Sequence, residues 1–352
     1  MPFVVVTRAP MTGRMSVRSP KPVGGKGGQV EIVHTFRGPI QPEDVGSTLI
    51  HEHIFVRNPE LETSLPDAEW NPDEAVEFAV RGLTELHALG IRTVVDLTVP
   101  GLGRDVRLVA DVAARVPINL IASTGWYTPN VLPTFFQFHG PGRVIDRVDP
   151  LIELFVGDLT EGLAGTRVRA GMLKVMTDVD GITPDVARVM TAAAVAHQET
   201  GVPITTHSHA ASRNGLIQQS FLCQRGVPPD RIIIGHSGDS EDLDYLIELM
   251  NNGSTIGMDR FGMEHVLPDD RRVRTLVALL EQGYADRIVI SHDAAFYSHV
   301  TPPSWRARAA PRWRMDTISR SILPALLDAG VPGDAIEQML IDNPRRLLAV
   351  AA

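Results

Sequence analysis

The sequence predicts a single (β/α)₈ barrel, and three features of the chain indicate that fold. From about residue 45, short β-branched apolar runs alternate with longer stretches of helical period. The runs are nearly continuous in apolar residues, which is typical of parallel strands that helices cover. Eight such units within about 300 residues match the size of this barrel. No glycine-rich phosphate loop follows the first run, so an open nucleotide-binding sheet has little support.

The predicted strands and two of the helices have recognisable boundaries. Asn71 and Pro72 supply an N-cap and a first-turn proline, and Gly90 ends the helix that they begin. Thr183 and Pro184 begin a second helix, which runs to Gly201. The eight predicted strands lie at residues 47–53, 93–99, 118–124, 171–176, 203–209, 231–237, 255–259 and 287–293.

Composition excludes several classes of protein. Lys and Arg number 33 against 42 Asp and Glu, and a net charge of −9 argues against binding to nucleic acid. No stretch approaches the ~20 apolar residues that span a bilayer. The single cysteine, Cys223, excludes a disulfide framework and a thiolate-rich zinc site. These features predict a cytoplasmic protein with no membrane partner.

The first 30 residues differ from the rest of the chain. They carry five basic residues and no acid before Glu31, and their apolar run is too short for a signal peptide. We interpret residues 1–30 as a flexible tail rather than a targeting segment, and residues 31–352 as the barrel domain.

Ionisable side chains occur where the predicted strands end, which is where barrels of this kind carry their chemistry. Period-two alternation puts His51 and His53 on one strand face and Glu52 on the other. A single strand histidine is commonly a hydrogen-bonded core residue, but burying many ionisable groups together is costly without compensation. Imidazole and carboxylate ligands suit divalent metals. The strand ends carry His51, His53, Lys174, His207, His209, His236, His292 and Asp293.

Lys174 lies inside an apolar strand and requires its own explanation. An ammonium group does not ligate a cation, but burial beside metals lowers the pKa of the amine. The neutral amine can add carbon dioxide, and the resulting carbamate can bridge two metals. A buried lysine paired with an acid is the alternative, and the strand pattern does not decide between them.

At these positions the chain resembles the phosphotriesterase family of the amidohydrolase superfamily, and within it the lactonase branch. The resemblance extends from Phe36 to Leu348 and rests on an ordered set of motifs: "GSTLIHEH", "DLTVPGLGRD", "KVMTDVDGIT", "TTHSHA", "IGHSGDS", "GMDRFG", "ISHD" and "DNPRRL".

The resemblance implies a binuclear centre, with zinc as the expected metal and iron, cobalt or manganese as alternatives. His51, His53 and Asp293 would hold one ion and His207 and His236 the other, with carbamylated Lys174 and a hydroxide between them. His209 is then expected beside the ligands or in the pocket. His292 lies next to Asp293, so strand alternation turns it away from the metals and favours a structural role. Relatives of this kind also imply a homodimer.

The implied reaction is the opening of lactone rings, including N-acyl homoserine lactones, with promiscuous organophosphate triesterase activity. Asp293 would accept and return the proton. Arg260 is typical of lactonase-like members, and Tyr127 matches a tyrosine near their metals; a rim salt bridge and a packing aromatic are the alternatives. A true phosphotriesterase, another ester or amide hydrolase, or a non-catalytic binding protein remain competing hypotheses.

The sequence departs from the lactonase pattern in two places. Pro129 and Val131 replace a second tyrosine and an acid. Ala294 and Ala295 follow the metal aspartate, where bulkier residues are common, so we expect a wider pocket there. Residues 297–313 are long enough to form a lid over the site.

Overall fold

A computed structural model describes residues 30–352, and its strands and helices follow one another as a (β/α)₈ barrel. The strands are β1 Glu31–Thr35, β2 Gly38–Ile40, β3 Thr48–Val56, β4 Thr93–Asp96, β5 Asn119–Gly125, β6 Ala170–Met176, β7 Ile204–His207, β8 Ile232–Gly235, β9 Thr255–Met258, β10 Ile288–Ile290, β11 Ala295–Ser298 and β12 Val350–Ala351. The helices are α1 Pro59–Ser64, α2 Pro72–Ala88, α3 Val106–Arg115, α4 Thr134–Phe138, α5 Pro150–Thr160, α6 Pro184–Thr200, α7 Asn214–Cys223, α8 Leu243–Asn251, α9 Asp269–Glu281, α10 Pro303–Ala309, α11 Leu323–Asp328, α12 Gly333–Glu337 and α13 Asn343–Leu348.

The barrel closes through an interrupted eighth strand. Strands β3 to β10 pair in parallel in chain order, and β11 returns to pair with β3. Since β10 and β11 are successive parts of one segment, the two ends of the sheet meet. The predicted barrel is therefore confirmed, and the eight predicted strands correspond to β3–β10.

Two layers of apolar side chains form the core. One cluster fills the barrel interior with a side chain from most barrel strands: Ile50, Val95, Ile121, Met172, Ile233 and Val289. A larger cluster lies between the strands and the surrounding helices. Because Met172 faces the interior, period-two alternation also turns Lys174 inward, closer to the carboxyl end of β6.

The two helix boundaries that the sequence predicts agree with the structure. The Asn71 side chain accepts hydrogen bonds from the amides of Asp73 and Glu74 at the start of α2. The Thr183 side chain accepts from the Val186 amide at the start of α6, and Gly201 ends α6 with φ of 72°. A polar cap and a left-handed glycine satisfy groups that the helix itself leaves unpaired.

The sequence did not predict a small second sheet. In it β1 pairs antiparallel with both β2 and β12. These strands have two to five residues, too few for a period-two pattern to be distinctive. The predicted tail lies outside the described residues, apart from Val30. Among the helices of residues 30–352, none is long and apolar enough to cross a membrane.

Glu52 holds the interrupted eighth strand against β3. Its side chain is completely buried, and its carboxylate accepts hydrogen bonds from the Ser291 hydroxyl, the His292 amide and ring, and the Ala294 amide. His292 in turn accepts from the Ile318 amide through Nε2, so its ring faces the outer helices. This carboxylate therefore fixes the backbone on both sides of Asp293.

Replacing Glu52 with glutamine should destabilise the barrel. The amide group would face the Ala294 N–H or the His292 ring as a second donor, and a buried unpaired donor costs about 1–3 kcal/mol. The free energy of unfolding, measured with urea, should fall by that amount. Exposed Glu60 provides the control, because Glu60→Gln removes the same charge from the surface. Equal stability of the two variants would contradict this role for Glu52.

Candidate metal centre

The ends of the barrel strands bring most of the predicted site residues together. His53, Lys174, His207, Arg260 and Asp293 line one pocket of about 420 Å³ at the carboxyl ends of the strands. His51 lies beneath them, with its Nε2 2.8 Å from the Lys174 Nζ and 3.5 Å from the Asp293 Oδ1. The donor atoms of His51, His53 and Asp293 lie within 4.8 Å of one another, close enough to share a cation.

One buried carboxylate orients two of the histidines. The Asp259 Oδ2 lies 2.7 Å from the His51 Nδ1, and its Oδ1 lies 2.9 Å from the His236 Nδ1. Because an ionised carboxylate only accepts, both Nδ1 atoms must carry a proton. The lone pairs on the Nε2 atoms of His51 and His236 therefore point into the site, as a metal ligand requires.

A hydroxyl orients His53 in the same way. The Thr98 hydroxyl donates to the Asp96 carboxylate at 2.6 Å, so it accepts from the His53 Nδ1 at 2.9 Å. The His53 Nε2 is then free as an acceptor and lies 3.2 Å from the Asp293 Oδ1.

The contact between His207 and His236 is the best test of whether a cation fits. The His207 Nδ1 and the His236 Nε2 are 2.9 Å apart. Burial, and then the charge of Arg260, hold the pKa of both rings well below the usual value, so both are neutral. Neutral imidazoles that converge on one point are the form in which histidine binds a metal. The donor set fits divalent metal ions.

Two of these residues have a strained backbone. His236 and Asp293 have φ of 59° and 53°, in the left-handed region that non-glycine residues rarely adopt. Two hydrogen bonds hold these conformations: the His236 amide donates to Asp259, and the Asp293 amide donates to the His51 carbonyl. Strain of this kind costs about 1–3 kcal/mol per residue and concentrates at functional sites.

Arg260 connects Asp293 to a chain of buried charges. Its Nε donates to the Asp293 Oδ2 at 3.0 Å, and its Nη1 donates to the Asp239 Oδ2 at 2.8 Å. Arg272 donates to the other oxygen of Asp239. Burial opposes ionisation of Asp293, but the surrounding imidazoles and the guanidinium of Arg260 hold its pKa well below the usual value.

Tyr127 packs edge-on against His207, with ring centroids 5.7 Å apart, and lines the same pocket. Burial, reinforced by the charge of Asp293, raises the pKa of its hydroxyl to about 12. The phenol therefore keeps its proton at neutral pH and can donate a hydrogen bond to a substrate oxygen.

Several other predicted positions lie away from the pocket. His209 was expected beside the ligands or in the pocket, but its ring contacts the Ser212 hydroxyl and does not line the pocket. Ala294 packs into the outer core, so only Ala295 can widen the pocket. Pro129 and Val131 are exposed.

The predicted lid segment does line the pocket, through Ser298, Val300, Thr301, Arg306 and Trp313.

Two residues of the site, Asp259 and Arg306, were not predicted from the sequence. Asp259 ends the seventh predicted strand, in the quoted motif "GMDRFG", and this position was the signal that could have identified it. Arg306 lies on α10, a helix of seven residues within the predicted lid segment. So short a helix has no periodicity that indicates which side chains face a pocket.

A (β/α)₈ barrel with imidazoles and a carboxylate converging at its strand ends belongs to a class of hydrolases whose sites can hold metal ions. This chain belongs to the phosphotriesterase family, which it matches over residues 31–348.

Individual relatives agree with this family. A phosphotriesterase homology protein of Mycobacterium tuberculosis is 44% identical over 90% of this chain and 97% of its own length. An aryldialkylphosphatase of Saccharolobus solfataricus is 38% identical over 88% of this chain and 97% of its own length. The solved structure of the phosphotriesterase from Mycobacterium tuberculosis covers 91% of this chain and all of its own, with 42% identity and a TM-score of 0.88.

Replacing Asp259 with asparagine should weaken metal binding. The amide can accept from only one of the two Nδ1 atoms, and loss of such an orienting carboxylate typically costs 10–100-fold in metal affinity. The measurement is metal content per chain after dialysis against graded chelator. Buried Asp158 gives a matched control, because it binds Arg104 and Thr124 outside the site. If the Asp158→Asn variant lost metal as readily as Asp259→Asn, the orienting role would be wrong.

Proposed function

We propose that this protein is a binuclear-metal-dependent lactonase with weaker activity towards organophosphate triesters. The convergence of neutral imidazoles, Lys174 and Asp293 around one point carries the proposal. When bound, a pair of divalent ions, with zinc expected, would supply an activated water nucleophile and polarise the substrate carbonyl. His51, His53 and Asp293 would hold one ion, and His207 and His236 the other.

Lys174 would complete the centre as a carbamate. Burial lowers the pKa of its amine to about 8, so a substantial neutral fraction exists near neutral pH. The neutral amine adds carbon dioxide and releases one proton, giving an anion with two oxygens. Lys174 is also the only lysine after Lys26, whereas the chain has thirty arginines among its 33 basic residues. Arginine cannot undergo this addition, which is a chemical reason for lysine here.

Asp293 is placed to transfer the proton. One oxygen lies near the rings of His51 and His53, and the other accepts from Arg260. A carboxylate held in this way can accept a proton from the attacking water and deliver it to the leaving alkoxide, a contribution typically worth 10²–10⁴-fold. In a lactone the leaving oxygen remains tethered, so the product is a hydroxy acid.

Arg260 and Tyr127 favour a carbonyl substrate. The Nη2 of Arg260 makes no hydrogen bond to any of residues 30–352, and the side chain lines the pocket, so it can donate to an oxygen that gains charge. The protonated Tyr127 hydroxyl can orient the lactone ring by donating a hydrogen bond to one of its oxygens. A true phosphotriesterase, or a hydrolase of another ester or amide, would use the same centre with a different substrate. A cytoplasmic location and a homodimer remain predictions.

Substrate preference separates lactonase from phosphotriesterase. We expect kcat/KM for a γ-lactone to exceed that for an aryl dialkyl phosphate by at least about 100-fold, or about 2.7 kcal/mol of barrier. In Arg260→His, where a smaller ring replaces the guanidinium donors, the ratio should fall. Chelated enzyme provides the zero-activity control. A preference of the wild type for the phosphate would reverse the assignment.

A carbamate at Lys174 can be tested with a pair of variants. Lys174→Ala should lose most activity and metal, and added short carboxylates should partly restore both, because they supply the missing oxygens. Lys174→Arg keeps the positive charge but leaves no cavity for an added carboxylate, so carboxylates should not restore its activity or its metal content. Both activity and metal per chain are measured. Full metal loading of Lys174→Arg without additive would contradict the carbamate.

A further inference from the structure

Arg306 is buried where it lines the candidate active-site pocket, and no acid among residues 30–352 forms an ion pair with it. The residue is 8% exposed and lines the pocket together with Asp293 and Ala295. Burial alone lowers the pKa of its guanidinium to about 10, with no contribution from a neighbouring charged group. The side chain is therefore still a cation at neutral pH.

A comparison with Arg272 shows how unusual this is. Arg272 and Arg306 are the two buried arginines of residues 30–352. Arg272 binds the carboxylates of Asp239 and Asp269. Arg306 instead donates to the backbone carbonyls of Thr301, Ala295 and Phe296. Carbonyl groups satisfy hydrogen bonds, but they do not neutralise a buried charge, whose desolvation costs several kcal/mol.

The position of Arg306 suggests what would neutralise it. Ala295, whose carbonyl it binds, lies two residues beyond Asp293. The guanidinium has five N–H donors, and three carbonyls leave two of them for another partner. The pocket that it lines also contains the apolar side chains of Val266, Val300 and Trp313 and the hydroxyls of Ser298 and Thr301. An anion in this pocket could accept hydrogen bonds from the two remaining N–H groups of Arg306.

We propose that Arg306 binds an anionic group, a carboxylate, on the part of the substrate that lies away from the ester bond. This inference rests on the proposed function and narrows its substrate class from lactones in general to lactones with a negatively charged tail. Arg306 is then a specificity-determining residue that discriminates between substrates without entering the chemistry.

The test uses the metal-loaded enzyme and two matched pairs of compounds. One pair is a γ-lactone with a carboxylate-terminated tail and the corresponding primary amide, compared by kcat/KM. The other pair consists of two cyclopentane analogues that carry the same two tails. They have no ester bond to hydrolyse, so their Kd values are compared by calorimetry. Wild type should favour the carboxylate by about 10-fold to 100-fold in both pairs, as expected for a hydrogen bond between charged groups.

Arg306→Met should lose this preference, measured as the ratio between the two tails within the variant, and Arg306→Lys should keep part of it. Arg308→Met is the control, because Arg308 lies on the same helix α10 but is exposed; it should behave as wild type. If Arg306→Met does not fold, the wild type and the lysine variant still decide the question.

Two results would overturn the proposal: a wild type that binds both tails equally, or a carboxylate preference that survives in Arg306→Met. The cyclopentane pair separates this failure from failure of the proposed function. If no lactone is hydrolysed but the carboxylate-tailed cyclopentane still binds more tightly through Arg306, the lactonase assignment is wrong and the anion site is right.

Discussion

The site depends on one buried carboxylate, that of Asp259, which accepts hydrogen bonds from the rings of His51 and His236. These two rings come from β3 and the end of β8, and the carboxylate follows β9, so three strands are locked in register at the point where the chemistry occurs. The sequence makes room for it with Gly257: a Cβ there would lie 2.4 Å from the Asp259 Oδ2. Without this carboxylate either ring could turn its lone pair away from the centre, and the converging donor set would be lost.

The interrupted eighth strand shows how the barrel places a strained residue. A continuous strand would hold Asp293 in extended backbone, whereas the break between β10 and β11 allows the left-handed conformation at φ 53°. Glu52 stabilises both sides of the break, so the strain cannot relax by movement of the strand ends. The same contacts of Glu52 therefore close the barrel and position Asp293, the candidate proton carrier.

Periodicity in the sequence predicted the barrel and the ionisable residues at its strand ends, and the family resemblance added Tyr127 and Arg260. Accuracy fell where the periodicity ends. Strand alternation correctly turned His292 away from the pocket, because it packs against Glu52 and the Ile318 amide. The same reasoning did not reveal that Ala294 faces the outer core, since the strand is broken beside it. The motif that contains Asp259 predicts a role for its neighbour Arg260 and does not by itself identify Asp259. Arg306 lies on a short helix whose position depends on packing against distant residues rather than on local pattern.

Three lysine or arginine side chains are buried in residues 30–352, and the desolvation free energy of each charge is offset in a different way. Arg272 has permanent carboxylate partners and is structural. Lys174 can lose its proton, since its pKa falls to about 8, and this makes the amine available for chemistry. Arg306 has no acidic partner in the part of the chain that the structure describes, and it retains its proton at neutral pH. A buried charge without an acidic partner is stabilised further when an anion from outside the chain binds it, and Arg306 lines a pocket that such an anion could enter. A substrate anion that binds Arg306 would therefore offset part of the free energy that burial of this charge costs.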